Sequence, residues 1–180
     1  MNIQKAGEVL QTRERDVERY AYMIKRYEET NVDEDDMFQR KFNAFYRVRR
    51  GESWRKVFYE IFAKNRERRL TFAEIICELY ERTGNIESSF SSKMLATIHT
   101  EMPIWDKYVL QNIGLKLTGK TKKEKLQNAI DLYEKMVEWY AVFLDSEKGK
   151  ECVMEFNKRF PQYEYFSEIK KVDFILWCMR

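Results

Sequence analysis

Apolar residues recur every three or four positions along most of this chain, which is the spacing of helices with one buried face. Residues 3–29 follow this spacing and predict one long amphipathic helix, with apolar positions at Leu10, Val17, Tyr20, Ile24 and Tyr27. The most regular run follows residue 121, with apolar positions at Leu126, Ile130, Tyr133, Val137, Tyr140 and Leu144. We predict a core helix there.

Several helix starts are marked by capping residues. Thr71 with Glu74, and Thr121 with Glu124, both fit the S/T-x-x-E capping box, in which each side chain bonds the backbone of the other residue. Ser167 can cap a final helix. Six glycines and two prolines are few for 180 residues, so a fold rich in β-hairpins is disfavoured. We therefore predict an all-α fold of about seven to nine helices, in a single domain over residues 1–180.

The overall charge is small, because 33 basic residues are nearly balanced by 30 acidic ones to give +3. Attraction to nucleic acid must therefore come from local clusters. The three cysteines are widely spaced among apolar residues, which favours reduced, buried thiols in a cytoplasmic protein. No export signal is predicted, since residues 1–16 contain no continuous apolar run, and no membrane partner is predicted, since the apolar run near the carboxyl terminus is interrupted by Asp173.

Basic clusters occur at three places in the chain. A glycine-bearing loop and the helix start that follows it supply four candidate nucleic-acid-binding residues, Lys120, Lys122, Lys123 and Lys125. The run over residues 65–69, together with the arginines near residues 47–55, could form a phosphate-facing surface. Solvated helix ends are the other explanation for these arginines.

Residues 87–114 are the stretch in which polar residues of catalytic type interrupt apolar segments. Lys93 lies in the first segment, Pro103 breaks the chain, and Asp106 opens the next helix. A lysine near apolar surface can act as an amine nucleophile, and an aspartate at a helix start can stabilise positive charge or move a proton. Equally, Lys93 can pair with a neighbour or extend to solvent while Asp106 caps its helix.

The sequence SSKML, a short break and PIWDKYV followed by a glycine resembles the lysine-to-aspartate core of helix-hairpin-helix DNA glycosylases, particularly the 8-oxoguanine glycosylase fold. It also resembles uncharacterised bacterial proteins with an SK…P-aromatic-D-x-x-V signature. The resemblance implies that Lys93 attacks the sugar C1′ after base flipping and that Asp106 assists. Double-stranded DNA would then be the partner.

Four further residues of this stretch are candidate pocket walls: Ser92, His99, Trp105 and Tyr108. The two aromatic residues could stack on an extruded base, although aromatic residues at helical spacing also fill cores. The only histidine has no partners at the spacing of a metal site or a catalytic triad. We predict no metal and no cofactor. The leading hypothesis is a DNA-binding protein with glycosylase- or lyase-like chemistry on damaged bases; the other is a non-catalytic, protein-binding or defence-associated helical protein.

Overall fold

The computed structural model describes residues 2–179, and this part of the chain contains ten α-helices and no β-strand. The helices are α1 (Ile3–Gln11), α2 (Glu14–Glu29), α3 (Asp36–Phe45), α4 (Glu52–Arg68), α5 (Phe72–Thr83), α6 (Ser88–Ile98), α7 (Lys107–Asn112), α8 (Lys122–Asp145), α9 (Glu147–Arg159) and α10 (Glu168–Cys178). A short 3-10 turn over Pro161–Tyr163 lies between α9 and α10. The all-α prediction is confirmed, with slightly more helices than the seven to nine expected.

The helix predicted over residues 3–29 is divided into α1 and α2 by a tight turn at Thr12 and Arg13. The Thr12 hydroxyl donates to the Val9 carbonyl at 2.7 Å, and the Arg13 N–H donates to the Leu10 carbonyl at 2.8 Å. These bonds span three residues instead of four and tighten the backbone. Since neither glycine nor proline stands at the turn, the apolar spacing continues across it and conceals the break.

The helices group into two compact units. The terminal unit consists of the described residues within Met1–Glu14 and His99–Arg180; in it α1 packs on α9 and α10, α8 packs on α9, and α7 packs on α10. The inner unit is Arg15–Ile98, where α4 packs on α5 and α5 on α6. The single domain expected over residues 1–180 stays a prediction.

The inner unit has a core of aromatic rings between α3 and α4. Phe38 and Phe42 on α3 and Phe58 and Phe62 on α4 are all fully buried. The ring centroid of Phe42 lies 5.6 Å from that of Phe58 and 5.5 Å from that of Phe62, in tilted and edge-on arrangements. Aromatic pairs in such geometries contribute about 0.5–1.5 kcal/mol beyond the burial of their area. These rings therefore fix the α3–α4 pair.

The terminal unit is built around α10, which is buried on nearly every side. Val172, Ile175 and Leu176 are completely inaccessible, as expected for a central helix. Lys170 and Asp173 are buried on the same helix, at 2% and 6% exposure. Charged groups are rarely buried without partners, and these two are hydrogen-bonded to each other.

Two expectations from composition can be compared with this fold. None of the helices in residues 2–179 combines the length and the apolar character needed to cross a bilayer.

All three cysteines are free thiols: Cys152 and Cys178 are buried, and Cys77 is half-buried. Burial raises the pKa of the Cys152 thiol to about 12, so this group stays protonated and unreactive near neutral pH.

Candidate functional site

Lys93 lies on α6 in the inner unit and is half-buried. Its Nζ donates to the Ser89 hydroxyl at 3.0 Å. The same ammonium group lies 5.2 Å from the ring centroid of Phe90 and 5.4 Å from that of Tyr46. Aromatic faces attract the ammonium form of lysine, whereas a nucleophile reacts as the neutral amine. These contacts favour a cationic, structural Lys93 in the protein alone.

Asp106 is the N-cap of α7 in the terminal unit. Its Oδ1 accepts the N–H of Tyr108 at 2.8 Å, which is the bond by which aspartate caps a helix. The structure therefore assigns Lys93 and Asp106 to different units, each with a local structural contact. Their action as a catalytic pair stays a prediction.

The four candidate pocket residues have different surroundings. Ser92 is completely buried on α6, and its hydroxyl donates to a carbonyl three residues earlier at 3.0 Å. Trp105 is 7% exposed, and Tyr108 is half-buried. His99 is half-buried, with its Nδ1 3.8 Å from a carboxylate oxygen of Glu101. Ser92 belongs to the inner unit, and the other three residues belong to the terminal unit. Their role as walls of one pocket stays a prediction.

A buried polar network in the terminal unit was missed by the sequence analysis. The carboxylate of Asp173 accepts the hydroxyl hydrogen of Tyr140 on one oxygen. Its other oxygen accepts the Lys170 ammonium at 3.0 Å and the Ile104 backbone N–H at 3.2 Å. These three donors take the place of the water that burial removes. The detectable signal was a pair of opposite charges at the start of the apolar run near the carboxyl terminus.

The electrostatics of this network indicate a structural role. Burial raises the pKa of Asp173, and the Lys170 charge opposes that rise. Burial also raises the pKa of the Tyr140 phenol well above its ordinary value, and the neighbouring Asp173 carboxylate adds to the effect. Lys170 is only 2% exposed, so its amine is closed to a large substrate. Together with the Tyr133 hydroxyl, which donates to the Pro103 carbonyl at 2.8 Å, the network fastens the segment that precedes α7.

The basic loop before α8 forms an exposed lysine segment, defined here as residues 116–125. Its five lysines, all exposed, are Lys116, Lys120, Lys122, Lys123 and Lys125. The single acidic residue in the segment is Glu124, whose carboxylate accepts the N–H groups of Lys120 at 2.8 Å and Thr121 at 3.2 Å. These backbone donors lower the pKa of Glu124. The carboxylate is thereby directed at the backbone, and the segment keeps a strong positive charge.

This lysine segment is folded against the first turns of α8. Asn128 donates from Nδ2 to the Thr118 carbonyl at 3.0 Å. Gly119 has a φ of 134°, and a Cβ placed there would lie 2.9 Å from the backbone nitrogen of Lys125. A glycine is required by both the positive φ and the close approach. The lysines are consequently displayed on an ordered loop, which lowers the entropy that binding must remove.

Metal chemistry has no obvious centre in the part of the chain that the structure describes. Within residues 2–179, no group of three or more histidine, cysteine, aspartate or glutamate side chains is arranged to hold an ion. No family model matches the chain, and neither a curated protein nor a solved structure is significantly similar to it. The functional interpretation therefore depends on the positions and contacts of the chain's own residues.

Proposed function

We propose that this chain binds nucleic acid, and that the lysine segment contacts the phosphate backbone of double-stranded DNA. The supporting observation is the concentration of five exposed lysines against one glutamate in residues 116–125. The whole chain carries a formal charge of only +3, so this positive charge is a local property. A local cluster on an ordered loop is the electrostatic footprint expected of a nucleic-acid-binding surface.

The physical basis of this binding is counterion release. Duplex DNA carries about one negative charge per 1.7 Å of helix axis, and each lysine that neutralises a phosphate releases condensed cations. The start of α8 adds the positive end of a helix dipole to the same location. Phosphate contacts of this type position a protein without reading bases. The proposed binding is therefore strongly salt-dependent and nearly independent of sequence.

Charge reversal in the lysine segment tests this proposal. The binding variant carries Lys120→Glu, Lys122→Glu and Lys123→Glu. The matched control reverses three exposed lysines of α9, with Lys148→Glu, Lys150→Glu and Lys158→Glu. Both variants have the same net charge, and fluorescence anisotropy with labelled duplexes of several sequences measures affinity from about 50 to 200 mM salt, where counterion release is large.

The binding variant should lose at least tenfold in affinity at every sequence, while the control loses markedly less. With three phosphate contacts removed, the slope of log affinity against log salt should fall by roughly 3, because each contact contributes about 0.9. Equal losses in the two variants would show a response to net charge alone and would reject the segment as the interface. A wild-type protein without measurable duplex binding would reject the proposed function.

Chemistry on damaged bases is a separate part of the proposal, and it is supported by the resemblance to DNA glycosylases. In this form Lys93, after losing a proton, attacks the sugar C1′; the glycosidic bond breaks, the damaged base leaves with its electron pair, and Asp106 assists. The Ser89 and ring contacts of Lys93 would have to be exchanged for substrate contacts. Borohydride trapping, described in the Discussion, tests this chemistry independently of simple binding.

A protein-binding function is the second candidate, and exposed apolar side chains in the terminal unit favour it. Val142 is 74% exposed, Met154 is 63% exposed and Tyr165 is 72% exposed. Single exposed apolar side chains are ordinary on a protein surface, whereas a contiguous patch marks an interface, so a partner would have to cover these three together. If wild-type protein fails to bind duplex DNA, this candidate becomes the better explanation of the fold.

A further inference from the structure

We propose that the inner unit holds a second phosphate-contact surface, which we call the arginine corner: Arg47, Arg49 and Arg50, with Phe90 beside them. This inference rests on the proposed function, because it assigns the same class of ligand, a nucleic-acid backbone, to a surface of the inner unit. The corner lies on the loop between α3 and α4, and all three arginines are exposed.

The backbone of Arg47 is the first observation. Tyr46 is the C-cap of α3, and Arg47 follows it with a φ of 53°, in the left-handed region. The Val48 N–H then donates to the Asn43 carbonyl at 2.9 Å, which completes a Schellman-type ending. Glycine, and sometimes asparagine, normally occupies this left-handed position because a Cβ there is strained. An arginine therefore occupies a position at which its Cβ is strained.

Favourable charge at a helix end does not explain this placement. A cation near a helix carboxyl terminus interacts well with the dipole, but any position in the last turn provides that benefit without a left-handed backbone. Backbone strain of this kind is often found at residues that contact ligands. Arg69, the C-cap of α4, has the same left-handed backbone with a φ of 49°, so strain alone does not distinguish Arg47. Arg47 is exposed next to the exposed Arg49 and Arg50, and this grouping favours a role for the guanidinium group outside the fold.

The surroundings of Arg50 are the second observation. Its Nε and Nη2 donate to the two carboxylate oxygens of Glu87, each at 3.0 Å. Its guanidinium also lies 5.8 Å from the Trp54 ring centroid and 5.7 Å from that of Phe90. The bidentate pair and the ring contacts fix the end of the α3–α4 loop. Arg50 therefore anchors the corner, and its charge is largely balanced by Glu87.

Arg47 and Arg49 remain as the contact groups. Neither forms an ion pair with a carboxylate among the described residues. The Lys93 ammonium lies 5.2 Å from the centroid of the Phe90 ring, which the Arg50 guanidinium also contacts, so one further cation lies near the corner. A guanidinium presents planar paired donors that match phosphate oxygens. A phosphodiester backbone is assigned to the corner because it is the ligand of the proposed function, and binding to polyglutamate instead of duplex DNA is the result that would reject it.

Two substitutions at one position separate the guanidinium from the backbone strain. Arg47→Gln and Arg47→Gly remove the same charge, but only glycine relieves the left-handed strain. Arg40→Gln is the control: Arg40 is an exposed arginine of α3 whose guanidinium lies 3.9 Å from the Asp36 carboxylate, so its charge is already paired. Each protein is titrated against a labelled duplex over a range of salt and against a labelled polyglutamate peptide. Thermal melting is recorded in parallel.

Both Arg47 variants should bind duplex DNA several-fold more weakly than wild type, with the salt slope reduced by about 0.9, the value for one phosphate contact. Arg47→Gly should nevertheless melt about 2–4 °C above Arg47→Gln. Arg40→Gln should bind as wild type does.

If Arg47→Gly binds DNA as tightly as wild type, position 47 acts through its backbone and the inference is wrong. Loss of binding in the lysine-segment variant with unchanged binding in both Arg47 variants would also overturn it, while leaving the proposed function standing. Wild-type protein that binds polyglutamate but no duplex would overturn the partner class and the proposed function together.

Discussion

Gly149 lies in the first turn of α9 against the end of α8, where no side chain fits. Gly149→Ala should therefore destabilise the terminal unit. Gly149 is the third residue of α9, and its N–H donates to the Ser146 hydroxyl at 3.1 Å. Ser146 also ends α8, so one residue links the two helices. A Cβ on residue 149 would lie 2.0 Å from the Phe143 carbonyl oxygen and 2.8 Å from the Leu144 Cα. Both are backbone atoms and cannot rotate away.

The size of the effect follows from three contributions. Forcing an extra methyl group into a closed space typically costs about 1–3 kcal/mol. Opening the joint to relieve the overlap would weaken the Ser146 cap, which is worth about 1 kcal/mol. Alanine recovers about 1 kcal/mol through its better helix propensity than glycine. The expected loss in the free energy of unfolding is therefore about 2 kcal/mol.

Urea unfolding followed by circular dichroism measures this loss, and Gly51→Ala is the matched control. A Cβ at residue 51 would meet nothing within 4 Å, and its φ is −64°. Reduced freedom of the unfolded chain and the poorer helix cap of alanine should nearly cancel there, leaving a change under about 0.5 kcal/mol. If Gly149→Ala is as stable as Gly51→Ala, with an unchanged dependence on urea, the backbone contact between α8 and α9 does not limit this position.

Two further predictions concern ionisable groups. The Arg26 guanidinium, 2.7 Å from the Asp35 carboxylate, and the Phe38 N–H hold the pKa of Asp35 well below its ordinary value of 3.8. This stabilisation should therefore be present above pH 3.8 and be lost as the pH falls below it. Asp35→Asn should lower the melting temperature at pH 6 and should reduce the fall in melting temperature between pH 6 and pH 2.5. A variant whose melting temperature falls as much as that of the wild type would contradict this assignment. If Lys93 forms a Schiff base, borohydride should trap a protein–DNA adduct with duplexes that carry oxidised, deaminated or abasic lesions. Lys93→Met should abolish the adduct, and Asp106→Asn should slow its formation. The absence of an adduct with every lesion would reject the lysine mechanism.

Local features of the helices were predictable from sequence. Thr71 accepts the Glu74 N–H at 3.3 Å while the Glu74 carboxylate accepts the Thr71 N–H at 2.7 Å, as the capping-box pattern predicts. The same reciprocal bonds join Thr121 and Glu124. Each box lies within four consecutive residues, so the information needed to recognise it is contained in the local sequence.

Features that depend on distant partners were not predictable in this way. Helical spacing assigns charged residues to solvent, yet Lys170 and Asp173 are buried because Tyr140 and the Ile104 backbone supply hydrogen bonds from other elements. The break at Thr12 depends on a hydroxyl-to-carbonyl bond that the apolar pattern does not encode. The candidate site shows the same limit: the resemblance joined Lys93 to Asp106 through the motifs SSKML and PIWDKYV, but the assignment of residues to units depends on the whole fold.

The packing of α1 on α9 and α10 has a consequence for the order in which the chain acquires its structure during synthesis. The partner surface for α1 is completed only when residues 168–178 have been translated, whereas residues 15–98 contain all the helices of the inner unit. The inner unit can therefore fold during translation, before the helices that α1 packs on have been made. Until residues 168–178 have been made, the buried face of α1, which carries Ile3, Ala6 and Leu10, lacks its complete partner surface.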